Sequence, residues 1–169
     1  NVAADLLADY LEDANDPADV IPPVLEEHAA LARLAVRAAS ERRPDVVALI
    51  EAASAHDVGH LLDETTLTLG AGKGSRSWAL DALPGVDEVA WDSLRTIPIA
   101  AVTGSNGKTT TVRLVAACAR AHGWCDGFNC TDGVFIGRKV VASGDYSGPA
   151  GTRLVLRDTS VEAAVLETA

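Results

Sequence analysis

The sequence predicts an α/β fold, a parallel sheet with flanking helices, preceded by a mainly helical N-terminal region. Three observations predict it. An apolar β-type run, Ile97 to Val102, is followed by a glycine-bearing loop and a helix-like run, Val112 to His122. That is the strand, loop and helix order of an α/β unit. A second apolar run, Ala163 to Leu166, ends in Glu167 and reads as a buried strand. Before residue 60 the apolar residues instead recur at helical spacing.

The elements follow in chain order, in three regions: helical residues 1–64, a glycine-rich connecting segment 65–96, and an α/β region 97–169. Val2 to Ala14 carries Val2, Leu6, Leu7, Tyr10 and Leu11 on one helical face. Pro22-Pro23 opens a long helix to Ser40, with Leu25, Leu31, Leu34 and Val36 on its buried side. Pro44 stands at N1 of a further helix to Ala55. Thr65 to Leu69 alternates as a short strand, and Gly70 to Ser75 forms a glycine-rich loop. This loop lacks the Gly-Lys-Ser/Thr order and reads as a flexible connector or a substrate-side loop. Beyond the helix that ends at His122-Gly123, a strand covers Gly127 to Thr131. A hairpin turns at Gly137-Arg138, and Arg153 to Arg157 reads as another strand.

The chemistry concentrates in Thr103-Gly104-Ser105-Asn106-Gly107-Lys108-Thr109-Thr110. Glycines let a loop turn tightly and aim several N–H groups at one point, and the next helix adds free donors and a positive dipole end. Lys108 then reaches the β- and γ-phosphates, and Thr109 offers a hydroxyl to Mg²⁺. These are the parts of a P-loop for ATP or GTP. The spacing is shorter than the general pattern, since Val102 occupies the position of the first glycine. Glu167 ends a strand expected to lie parallel to the first, where an acidic residue meets the Mg²⁺.

Composition narrows the partners. The 169 residues are 48% hydrophobic with a formal charge of −10, which fits a globular domain and not a nucleic-acid or anionic-membrane surface. No run reaches membrane-spanning length, and a cytoplasmic location is expected. The chain starts at Asn1 and ends at Ala169 directly after a strand-like run, so it reads as cut from a longer protein. Cys118, Cys125 and Cys130 lack metal-pair spacing and read as free thiols, with Cys118 in the core of its helix. His56 and His60 stand four apart, but Gly59 weakens a helix there, so a polar helix end is the reading preferred to a zinc pair.

Four motifs together carry a resemblance: TGSNGKTTT at 103–111, TDG at 131–133, GDYSGP at 144–149 and VLETA at 165–169. They resemble the central, ATP-binding domain of the Mur ligase family, in its cyanophycin-synthetase-like branch, over about residues 97–169. GAGKGSRSW, ahead of the loop strand, is similar to upstream sequence of stand-alone members. The helical first 60 residues do not resemble the ATP-grasp module that precedes this domain in that branch. The resemblance implies ATP-dependent amide-bond formation between a carboxylate-bearing acceptor and an amino-acid amine, through an acyl phosphate. It implies catalytic roles for Lys108 and Glu167, and Mg²⁺ held by Thr109 and Glu167. ATP would be cradled by Thr103 to Thr110, with the acceptor side lined by Asp132, Asp145 and Ser147. The family pattern continues past VLETA, so the chain is expected to be inactive alone. The other readings are a different P-loop phosphotransferase or NTPase, and a non-catalytic nucleotide-binding or interaction fragment. No Asn-Lys-x-Asp base-reading motif of a GTPase follows the loop.

Overall fold

The computed structural model describes residues 27–40 and 42–168. The chain divides into two compact units, Asn1–Arg42 and Arg43–Ala169. In the first, helix α1 spans Glu27–Ser40. The helix expected over Val2 to Ala14, and the start at Pro22-Pro23 with Leu25, lie outside the described residues. The expected buried side of α1 is not found. Leu31, Leu34 and Val36 are 55%, 38% and 72% exposed. Its alanines and arginines favour a helix through backbone propensity alone, and propensity requires no covered face.

The second unit opens with α2, Pro44–Ala55, with proline in its first turn as expected. Its buried Val46, Leu49 and Ala53 follow helical spacing. Leu49 and Ala53 share a core with Val58, Leu67, Leu69, Val89 and Leu94. Beside them lies a three-stranded antiparallel sheet, β1 (His60–Leu62), β2 (Thr66–Leu69) and β3 (Arg76–Ala79), in that order. The alternation over Thr65 to Leu69 marked β2, whereas β1 and β3 are too short to show a period. His56 caps α2 and stacks on Trp91 at 4.6 Å, while His60 starts β1, so the two histidines share no helix face.

The glycine-rich segment between β2 and β3 is not a flexible connector. It forms a one-turn 3₁₀ helix, Gly72–Gly74, whose backbone is pinned from two sides. Ala71 N–H donates to Arg95 O at 3.0 Å, and Lys73 N–H donates to Val161 O at 2.8 Å. From there the chain runs through two further 3₁₀ turns, Val86–Glu88 and Trp91–Ser93, to the large sheet.

That sheet has five strands in the order β4-β8-β5-β6-β7. They are β4 (Ile99–Val102), β5 (Asp126–Cys130), β6 (Gly133–Ile136), β7 (Lys139–Ser143) and β8 (Ala163–Glu167). β8 lies parallel to both β4 and β5, whereas β5, β6 and β7 form an antiparallel meander. The expected parallel sheet therefore holds for three strands. The short turns at Thr131-Asp132 and Gly137-Arg138 force the other two to run back, since a parallel return needs a crossover. Helix α3 (Lys108–Ala121) covers one face, with Val112 and Ala116 against Phe128, Cys130 and Val165. On the other face, Val155 and Leu156 pack with Val134, Ile136, Ala164 and Leu166.

Val155 and Leu156 belong to α4, Pro149–Arg157, where a strand was expected over Arg153 to Arg157. The Arg-Leu-Val-Leu-Arg run holds a short apolar stretch, but Pro149 starts a helix and Gly151, buried two residues on, lets it press close to β5. Cys118 is exposed and not a core residue, because the buried face of α3 is set by Val112 and Ala116, and position 118 faces away. Cys125 is half-buried, Cys130 is buried, and all three thiols are free. Among the described residues no helix is long and apolar enough to cross a membrane.

Candidate functional site

The site forms where β4 and β8 end side by side. Their parallel register sets Val102 opposite Glu167, and Thr168 N–H donates to Val102 O at 3.0 Å. The loop 103–107 and the Glu167 carboxylate thus leave the sheet at the same edge, the carboxyl edge at which open α/β sheets take ligands. Gly107 turns the loop into α3 with φ +77°, a left-handed backbone that glycine adopts without strain. Thr111 N–H and its hydroxyl both donate to Gly107 O at 2.9 Å and seal the first turn. Thr103, Gly104, Ser105, Asn106, Gly107 and Thr110 are exposed. Lys108 is half-buried and folds back, its Nζ donating to Gly104 O at 2.9 Å.

Two of the predicted residues meet. Thr109 Oγ1 donates to Glu167 Oε2 at 2.9 Å. Glu167 is 1% exposed, so its carboxylate is buried, and among the described residues its side chain is partnered by this hydroxyl. A hydroxyl alone does not neutralise a buried carboxylate, and such a charge ordinarily takes a cation or an ion-pair partner. The donor set, one carboxylate and hydroxyl oxygens, suits a hard divalent cation that takes its remaining ligands from phosphate and water. Among the described residues no three His, Cys, Asp or Glu side chains converge as a self-sufficient metal centre.

Sequence reading missed Thr131. Its Oγ1 lies 3.2 Å from Thr109 Oγ1, which adds a third oxygen to the group. The residue directly follows the last residue of β5, at the same sheet edge as Glu167, and it opens the TDG motif, which was read for Asp132 alone. The residues expected on the acceptor side are less close-knit. Asp132 pairs with Arg113 of α3 at 2.5 Å. Asp145 Oδ1 accepts the Ser147 N–H at 3.0 Å and the Ser147 hydroxyl at 2.7 Å. These bonds, the backbone one foremost, hold the Asp145 carboxyl below the usual carboxylate range. The 144–148 loop reaches the site through one side chain. Buried Asn129 donates from Nδ2 both to Tyr146 O at 2.6 Å and to Glu167 O at 3.0 Å.

A glycine loop at the end of one strand, a threonine opening the next helix and a buried acid ending the neighbouring strand invite comparison with known families. Residues 102–169 match the Mur ligase middle domain. The resemblance carried by the four motifs is thereby upheld for this segment. The chain is 51% identical over 73 residues to cyanophycin synthetase of Crocosphaera subtropica, covering 43% of this chain and 8% of that protein. Against cyanophycin synthetase of Geminocystis herdmanii it is 52% identical over the same length and shares. A shorter match, 47% over 49 residues, reaches UDP-N-acetylmuramoylalanine–D-glutamate ligase of Rippkaea orientalis, covering 29% of this chain and 10% of that protein. The matched stretch spans about 8% of the length of the cyanophycin synthetases. The residues that match the Mur ligase middle domain thus include every residue of the site, from Thr103 to Glu167.

Proposed function

We propose that residues 97–169 form the leading part of an ATP-binding domain in an ATP-dependent ligase that joins a carboxylate to an amino-acid amine. The observation that carries this reading is the buried Glu167 carboxylate, hydrogen-bonded to Thr109 at the first turn of the helix behind the glycine loop. The ligases among its relatives support the same class. Thr109, Glu167 and Thr131 would hold Mg²⁺, which when bound offsets charge on the transferring phosphate.

The chain's own residues do the rest of this part. The exposed N–H groups of the loop and the N-terminus of α3 receive phosphate oxygens. Lys108 leaves Gly104 O for the β/γ-phosphates and stabilises the charge that develops during transfer. The substrate carboxylate takes the γ-phosphoryl group to give an acyl phosphate and ADP. The amine nitrogen then attacks the acyl carbon, loses a proton, and inorganic phosphate leaves. Asp132, Asp145 and Ser147 line the acceptor side in this reading. A cytoplasmic location, where ATP is plentiful, is expected on this reading.

The test is ADP and phosphate release by the full-length protein in the presence of candidate acids and amines. Release of both products that requires an acid and an amine is expected; ADP release that needs no amine and yields no free phosphate identifies a kinase instead. Lys108→Ala is expected to lower ligation by roughly 10²–10³-fold, the scale of losing one preorganised charge-stabilising donor. Unchanged turnover removes Lys108 from the chemistry.

A further inference from the structure

Asn129 is fully buried in β5. Its amide is committed entirely as a donor. Nδ2 serves two carbonyls, Tyr146 O and Glu167 O, while Oδ1 is buried and has no partner among the described residues. Turning the amide over would leave both carbonyls facing an oxygen, so this orientation is the one the network allows. A buried acceptor without a partner is a cost, and an apolar side chain would avoid it. Its presence calls for something the two donor bonds achieve.

The ladder shows what that is. β5 and β8 pair only as far as Asn129 opposite Leu166, so backbone pairing stops one residue short of Glu167 on this side. Asn129 Nδ2 extends the ladder by that residue. On the other side Glu167 is held by its register with Val102. The same amide grips the 144–148 loop, which Cys130 O also holds through Tyr146 N–H at 3.1 Å. Space there is closed: a Cβ on Gly151 would lie 2.2 Å from Tyr146 O and 2.8 Å from Asn129 Cβ.

We propose that Asn129 is a positioning residue that fixes the backbone of Glu167 and ties it to the Gly144–Gly148 loop, so that loop and metal-holding carboxylate move as one. This rests on the reading of Glu167 as the carboxylate that holds Mg²⁺. Groups behind a metal ligand set its orientation, and their loss typically weakens metal binding by 10–100-fold.

Asn129→Asp keeps the shape and removes the donors. The measurement is calorimetric binding of ATP to the full-length protein, without Mg²⁺ and across a Mg²⁺ titration. Asn129→Asp is expected to raise the Mg²⁺ midpoint about tenfold or more while leaving Mg²⁺-free ATP affinity within about twofold. In a Glu167→Gln background it should add nothing, because the two act through one carboxylate. An unchanged midpoint, equal loss with and without Mg²⁺, or full additivity with Glu167→Gln overturns the proposal. If Asn129→Asp has no thermal transition, Asn129→Ser, whose short hydroxyl cannot serve both carbonyls, takes its place with the same outcomes. Should the full-length wild-type protein bind no Mg²⁺-dependent ATP, the functional reading fails by itself. The positioning claim is then judged on hydrogen exchange, where faster exchange at the Tyr146 and Thr168 amides supports it and unchanged exchange overturns it.

Discussion

Two glycine loops in this chain share a composition and do opposite things. Gly107 and Gly70 have nearly the same left-handed backbone, φ +77° and φ +78°. Around Gly107 a Cβ would meet nothing within 4 Å. Around Gly70 it would lie 2.2 Å from Gly74 O and 2.9 Å from Arg95 O. The first glycine keeps a loop open at a sheet edge; the second lets three backbone segments pack where no side chain fits. The lysines divide the same way. Lys108 rests on its own loop's Gly104 O, a contact a ligand can replace, whereas Lys73 is paired with Glu162 at 2.7 Å across the unit. Glycine and lysine in a loop therefore do not by themselves mark a phosphate site, and what surrounds the loop does.

The sharpest way to break this contrast is to add one methyl group to each loop. Gly70→Ala pays for the left-handed backbone and also for a backbone collision that no side-chain movement relieves. It is expected to cost more than about 3 kcal/mol and to lower the melting temperature by roughly 10 °C or more. Gly107→Ala carries only the backbone part, about 1–2 kcal/mol, and should reveal itself chiefly as weaker ATP binding. Thermal scans and ATP titrations of both variants check this. Equal melting temperatures would mean that the packed loop has slack the geometry does not show.

The next effect concerns what holds the packed region together. Asp63 accepts the N–H groups of Thr65 and Thr66, both at 2.9 Å, and pairs with Arg157 at 2.6 Å, which ties the small sheet to α4. These contacts, the Thr65 N–H first and Arg157 next, depress its carboxyl far below the usual carboxylate range. A depressed folded-state pKa makes the stabilisation complete above the unfolded value, near 3.9, and progressively lost as pH falls below it. Asp63→Asn should therefore lower the melting temperature at pH 7 and flatten its decline between about pH 4 and pH 2. A variant whose melting temperature falls with acid as steeply as wild type would assign that decline to other carboxylates. The open loop contributes nothing to this profile.

The difference between the loops also explains which features the sequence made legible. The strand, glycine loop, Lys108-Thr109 and helix are contiguous, so local spacing reveals them, and Glu167 follows from its place at the end of an apolar run. Thr131 and Asn129 enter the site through strand register, across 22 and 38 residues of chain, and no local period records that. The role of Gly70 is similarly hidden, because the backbone it packs against belongs to Arg95. Two misreadings have the same origin. The short apolar run in Arg153 to Arg157 was overridden by Pro149 and the fit of Gly151 on β5, and Cys118 was assigned to the core although only Val112 and Ala116 define that face of α3.

The smallest expected effect completes the contrast between the lysines. Lys73 and Glu162 form a partly exposed ion pair, 44% and 32% exposed, and Glu162 Oε2 also accepts the Cys125 N–H at 3.0 Å. Lys73, then that N–H, hold the Glu162 carboxyl below its ordinary range. Solvent screens such a pair, and Glu162 keeps a partner when the lysine is gone. Lys73→Ala should thus shift the melting temperature by no more than about 2 °C, and this shift should shrink in high salt. ATP binding should be unchanged, whereas Lys108→Ala should leave the melting temperature alone and abolish most of the binding. A loss of ATP binding in Lys73→Ala would put the packed loop at the nucleotide after all, and the distinction between the two loops would have to be redrawn.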